Sequence, residues 1–181
     1  MQEAKRKLGR NNFEFYTDEI GEQSKKIIQM ENELHRALER NEFTVHYQPK
    51  VSLSDGTIVG MEALLRWEHP QLGFVPPDEF IPIAEQTGLI NQISQWLIRT
   101  VCRQVKFWQD SGFETASVSL NLSPSDFRSL DLADQIISEV RNIGLSPEFL
   151  EFEITETVVM HRVEATLTIL AKLSQAGFTI V

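Results

Sequence analysis

Met61-Glu-Ala-Leu-Leu-Arg-Trp-Glu-His-Pro70 decides the fold. The run is apolar and aromatic and is closed by a proline, which marks a strand. An acid and an arginine nevertheless sit inside it. Side chains alternate faces along a strand, so Glu62, Leu64 and Arg66 point one way while Met61, Ala63, Leu65 and Trp67 point the other. The same division recurs outward from this stretch. Thr44, His46, Gln48 and Lys50 oppose Phe43, Val45 and Tyr47. Ser117, Ser119, Asn121 and Ser123 oppose Val118, Leu120 and Leu122, and Glu151, Glu153 and Thr155 oppose Phe152 and Ile154. One face of the sheet is therefore greasy, and the other carries acids, amides and hydroxyls.

The pattern predicts strands over 43–51, 58–67, 117–122, 150–155 and 178–181. Between them fall helices over 78–86, 91–110, about 130–142 and about 161–175, closed near Gly88, Gly112, Gly144 and Gly177. Ser123-Pro-Ser-Asp126 carries the composition of a helix start. Alternating strands and helices argue for βαβ units and a parallel sheet. The first link, Ser52-Leu-Ser-Asp-Gly56, is too short for a crossover, so the first two strands are expected antiparallel. Upstream, residues 18–40 read as a helix capped by Thr17, with Ile27, Met30, Leu34 and Leu38 as its apolar stripe.

Composition narrows the function. The 181 residues carry a net charge of -9 and 41% apolar side chains, which suits a globular domain and disfavours binding of duplex nucleic acid. Cys102 is the single cysteine, so no intramolecular disulfide forms and a reducing, cytoplasmic setting is expected, with any membrane anchor of a parent protein outside this chain. It is read as a small buried hydrophobe. No apolar run is long enough to span a membrane. His35, His46, His69 and His161 lack metal-ligand spacing, and Trp67, Trp96 and Trp108 are read as core.

A sheet with one solvated face would show the same alternation. If helices cover the greasy face and the sheet curls, however, the polar face looks into a barrel, where α/β barrels keep their chemistry at the carboxyl ends of the strands. Glu62, Asn121 and Glu153 would converge there. Two carboxylates and an amide oxygen repel as a bare cluster, and a hard cation relieves that repulsion. Oxygen donors suit Mg²⁺, Mn²⁺ or Ca²⁺ rather than zinc. Arg66, on the same side, could then hold a phosphate or else pair with Glu68. Glu151 shares the face and is assigned no chemistry.

Tyr47-Gln-Pro-Lys50, Glu62-Ala-Leu-Leu-Arg66, Phe80-Ile-Pro-Ile-Ala-Glu85, Asn121-Leu-Ser-Pro-Ser-Asp-Phe127 and Glu153-Ile-Thr-Glu156 follow one another in order. Together they resemble the EAL domain, the cyclic-di-GMP phosphodiesterase module of bacteria, over roughly residues 27 to 181. The resemblance implies a partial TIM-like (β/α) barrel with an antiparallel first strand. It implies hydrolysis of cyclic-di-GMP to linear pGpG with two Mg²⁺ or Mn²⁺ ions. By motif, Glu62, Asn121 and Glu153 would be metal ligands, with Glu62 and Glu156 counted as catalytic. Leu64 and Arg66 would contact the dinucleotide, Gln48 would line its cleft, and Glu156 would hold a nearby loop. Two alternatives stay open: a non-catalytic receptor for cyclic-di-GMP, and a protein-interaction module.

Residues 1–17 resemble the tail of a GGDEF domain, with Gly9 as a helix cap and Phe13-Glu-Phe-Tyr16 as a strand. This makes 18–40 a linker helix and 41–181 the N-terminal part of an EAL domain. Gly177-Phe-Thr-Ile-Val181 would, in the family, lead into a paired-aspartate motif. Residues 43–181 are a little over half of the ~250 residues of a whole barrel. The chain is accordingly expected to be an incomplete barrel, inactive alone, with three ligands too few for two metals. Two copies are expected to pair through open strand edges, which a monomeric sedimentation profile across micromolar concentrations would disprove.

Overall fold

The computed structural model describes residues 18–155 and 163–181, the side chains of residues 18–24 and 26 apart. The expectations placed on residues 1–17, on Glu156 and on His161 lie outside the described residues. The elements are α1 (Asp18–Arg40), β1 (Phe43–Val51), β2 (Ile58–His69), β3 (Gly73–Val75), α2 (Pro77–Thr87), α3 (Ile90–Asp110), β4 (Ser117–Leu122), α4 (Leu132–Ile143), β5 (Leu150–Ile154), α5 (Val163–Gln175) and β6 (Thr179–Ile180). Single 3-10 turns lie at Asp126–Arg128 and Pro147–Phe149.

The sheet runs β1-β2-β4-β5-β6, with β3 on β2. β1 is antiparallel to β2, as the short Asp55-Gly56 link requires. The pairs β2–β4, β4–β5 and β5–β6 are parallel. This is a partial TIM-like barrel with a reversed first strand.

The alternation dictates the packing. Val118, Leu120, Leu150 and Phe152 are essentially inaccessible and share one core with Val101, Val105, Val140 and Leu173 of α3, α4 and α5. Cys102 is buried in the same core, and burial pushes its thiol up to about 12, so it behaves as a hydrophobe. A second core joins α1 and α2 to the start of β1 and the end of β2. There Phe43 lies 5.9 Å from Trp67, 6.0 Å from Phe80 and 5.8 Å from Trp96 in tilted aromatic contacts.

Helix α1 enters this second core through Met30, Leu34 and Ala37. Of the expected stripe Met30 and Leu34 are buried and Leu38 packs partly buried against this core, whereas Ile27 is exposed and Ala37 joins the contact instead. His69 ties the helix down. Its Nδ1 accepts the amides of Gln71 and Leu72, so its Nε2 carries the hydrogen and donates to Glu33 at 3.2 Å. That hydrogen bond holds the Glu33 carboxyl below the usual range.

The structure adjusts the expected elements. The Ser123-Pro-Ser-Asp126 signal builds only a 3-10 turn: the Ser123 amide donates to Asp126 at 2.8 Å and the Ser125 amide to Ser123 Oγ at 3.1 Å, yet the α-helix begins at Leu132. β2 continues two residues past Trp67 to His69, because β3 returns and pairs with Trp67–His69. β3 itself has only three residues, too few for a periodic signal. The helix ends after α2 and α4 do fall on glycines, Gly88 and Gly144, whose φ of 80° and 74° suit a residue without Cβ.

Candidate functional site

Register brings the candidate ligands together. Glu62 of β2 is the Cα partner of Gln48 on β1 and of Ser119 on β4. Asn121 of β4 is the partner of Glu153 on β5. Asn121 Nδ2 donates to Glu62 Oε1 at 2.8 Å, which fixes the amide and leaves its oxygen as the remaining acceptor. Glu62, Asn121 and Glu153 thus form one contiguous group on the face opposite the main core.

The sequence reading places Lys50 on this face but gives it no role, and here the structure adds a residue. Lys50 Nζ donates to Glu153 Oε1 at 2.5 Å and lies 4.0 Å from Glu151 Oε2. The hydrogen bond is the main reason that the Glu153 carboxyl lies below its ordinary range and the Lys50 ammonium above its own, with Glu151 and Glu62 adding to the latter. Glu151 is fixed by Ser117 Oγ, which donates to it at 2.6 Å. Alternation in β1 put Lys50 on the right face. The register that sets it beside residues 103 positions away is not visible in a single sequence.

Arg66 is half-buried and folds back, Nη1 donating to the Leu65 carbonyl at 2.8 Å. The alternative pairing with Glu68 is not made, and Arg66 forms no ion pair with any described residue, so most of its five donors stay unengaged. Arg66 also lies at a fork. β4 pairs with β2 as far as Ala63, and β3 takes over at Trp67, so Leu64–Arg66 have a neighbouring strand only on the β1 side. Gln48 is exposed and Leu64 half-buried near the same group.

The donors suit an oxygen-loving cation: two carboxylates and a free amide oxygen, without thiolate or imidazole. Among the described residues no three His, Cys, Asp or Glu side chains converge as a self-contained metal cluster. The group offers two acids plus an amide, and a positive charge, that of Lys50, already sits against it. On its charge and its chemistry the group fits a divalent cation that prefers oxygen donors.

A buried acid lies off these strands. Asp126 is 2% exposed and accepts from Ser94 Oγ at 3.0 Å and from the Ser123 amide at 2.8 Å. Burial outweighs those hydrogen bonds and pushes its carboxyl up to about 6. It borders a cleft of about 540 Å³ lined by residues of α3 and α4.

Comparison with known proteins points the same way. The family model of the EAL domain matches residues 31–181. The bifunctional diguanylate cyclase/cyclic di-GMP phosphodiesterase MucR of Pseudomonas aeruginosa is 40% identical over 169 residues, 93% of this chain and 25% of MucR. The cyclic di-GMP phosphodiesterase NbdA of the same organism is 35% identical over 172 residues, 95% of this chain and 22% of NbdA. A solved structure described as the PaMucR phosphodiesterase in complex with c-di-GMP superposes with a TM-score of 0.79 at 42% identity, covering 84% of this chain and 62% of that one. The chain spans about a quarter of the length of these curated relatives.

Proposed function

The chain belongs to the EAL domain family, and from that premise we propose that it supplies part of the active site of a phosphodiesterase that hydrolyses cyclic-di-GMP to linear pGpG. The observation that carries this proposal is the group of Glu62, Asn121 and Glu153, hydrogen-bonded and in register on three adjacent strands. The names of MucR and NbdA, both phosphodiesterases of this dinucleotide, support the choice of substrate.

In this proposal Glu62, Asn121 and Glu153 hold Mg²⁺ or Mn²⁺. A divalent cation held by these residues would supply a lowered pKa for a bound water and positive charge against the phosphate. The residues of the chain do the rest. Asn121 orients the Glu62 carboxylate through its amide N–H. Arg66 turns its unengaged N–H groups to a phosphate, a task for which a planar guanidinium is suited. Leu64 packs against the dinucleotide and Gln48 lines its cleft. Glu156 is assigned, by motif alone, to holding the adjacent loop. Three ligand residues are few even for one such cation, so a two-metal site would need further groups from outside these three. The proposal also makes α1 the connector from a GGDEF-type segment in residues 1–17, a pairing of activities that the name of MucR contains.

The test uses the whole gene product with cyclic-di-GMP, in Mn²⁺ and after chelation. Linear pGpG should appear only with metal and be lost in Glu153→Gln. Arg66→Ala should weaken dinucleotide binding by roughly 10- to 100-fold, the worth of charge-assisted hydrogen bonds to a phosphate. Tight binding without turnover would make the protein a receptor instead, and absence of binding would leave only an interaction module.

A further inference from the structure

Lys50 is the cation that the mechanism above does not use. It stands on β1 and faces three acids from two other strands: Glu153 at 2.5 Å, Glu151 at 4.0 Å, and Glu62, whose charge it also feels. Among the described residues no other cation pairs with these three acids, because Arg66 is turned onto the Leu65 carbonyl. The Lys50 side chain is 37% exposed, so it has solvent into which it can withdraw.

We propose that Lys50 is a resident competitor of the divalent cation: its ammonium holds the ligand carboxylates together while no metal is bound, and must yield or be tolerated when one binds. This rests on the assignment of Glu62, Asn121 and Glu153 as ligands. The chemistry is direct. Acids gathered this closely repel and would splay without a countercharge. An ammonium supplies that charge as a mobile point on a flexible stem, whereas a guanidinium would grip a carboxylate with two parallel bonds. A metal that takes Glu153 must either displace the ammonium or endure a like charge beside it, and either outcome weakens its binding. Lys50 thereby sets how much free metal the site needs, a positioning and tuning role rather than a catalytic one.

The test is Mn²⁺ binding, read by electron paramagnetic resonance on the metal-stripped full chain. Lys50→Met should bind Mn²⁺ about tenfold more tightly than wild type, the scale of one partly exposed ion pair with a neighbouring like charge removed. Lys50→Arg should stay near wild type or bind more weakly. In chelator, Lys50→Met should melt below wild type and recover more on adding Mn²⁺. If Lys50→Met proves unfolded by circular dichroism, Lys50→Gln, which keeps a polar head without the charge, takes its place. Equal or weaker Mn²⁺ affinity in the folded neutral variant would overturn the competitor role while leaving the metal site standing. Absence of Mn²⁺ binding in wild type and every variant would overturn both.

Discussion

Phe152 and Glu153 are neighbours on β5 and live under different physics. Phe152 is fully buried, its ring 5.5 Å from that of Phe178 and enclosed by the helices behind the sheet. Glu153 keeps about a quarter of its side-chain surface, and its partner is a lysine 103 residues away. One face of the sheet is held by volume and area, which many neighbours supply together. The other is held by a few pairs of charges and hydrogen bonds, each replaceable by water or by an ion. The apolar face therefore carries the stability, while the polar face can be rearranged without unfolding the chain, which is what a site for metal and anion requires.

The largest effect should come from breaking the apolar side. Phe152→Ala is expected to cost about 3–5 kcal/mol, a large share of the ~5–15 kcal/mol that holds a typical domain. Urea unfolding would show it; a loss below about 1 kcal/mol would mean that the two faces are less different than their burial says.

Next comes a charge placed on the wrong side of that division. Asp126 is buried yet acidic, and its carboxyl is raised to about 6 from an ordinary 3.8. The folded state then holds its proton more tightly than the unfolded one, so stability falls as pH rises through that interval and stays low above it. The gap corresponds to about 3 kcal/mol. Asp126→Asn should consequently be about 1–3 kcal/mol more stable than wild type at pH 7, and no more stable below pH 4. Denaturation midpoints at the two pH values give the comparison.

The smallest effect on stability should come from the polar face. Glu153→Gln is expected to change it by less than about 1 kcal/mol at pH 7, as for other partly exposed pairs. The sign of its pH dependence is opposite to that of Asp126. The Glu153 carboxyl is lowered by Lys50, so its contribution is present above the ordinary carboxyl pKa and is lost as pH falls through the lowered one. Wild type should lose that increment in acid, and the glutamine variant should not.

Much of this division was legible in the alternation of residues. β1 and β4 begin and end where the pattern puts them, and the polar residues at 62, 121 and 153 share a face as the period of two demands. Residues were opaque where position depends on a distant partner. Lys50 stood on the expected face without a role, because only the register across β1, β2, β4 and β5 brings it to Glu153. Asp126 read as the start of a helix, because capping chemistry serves a 3-10 turn equally well and its burial comes from α3 packing over it through Ser94. β3 was missed because three residues leave no period to see.

The fork in β2 has a mechanical consequence. β4 flanks the strand over Gly60–Ala63 and β3 over Trp67–His69, while Leu64–Arg66 between them lean on β1 alone. A strand normally frays from its tips inward. This one also has a one-sided stretch in its middle, so the backbone beneath the arginine has fewer ladder hydrogen bonds to give up as a ligand arrives.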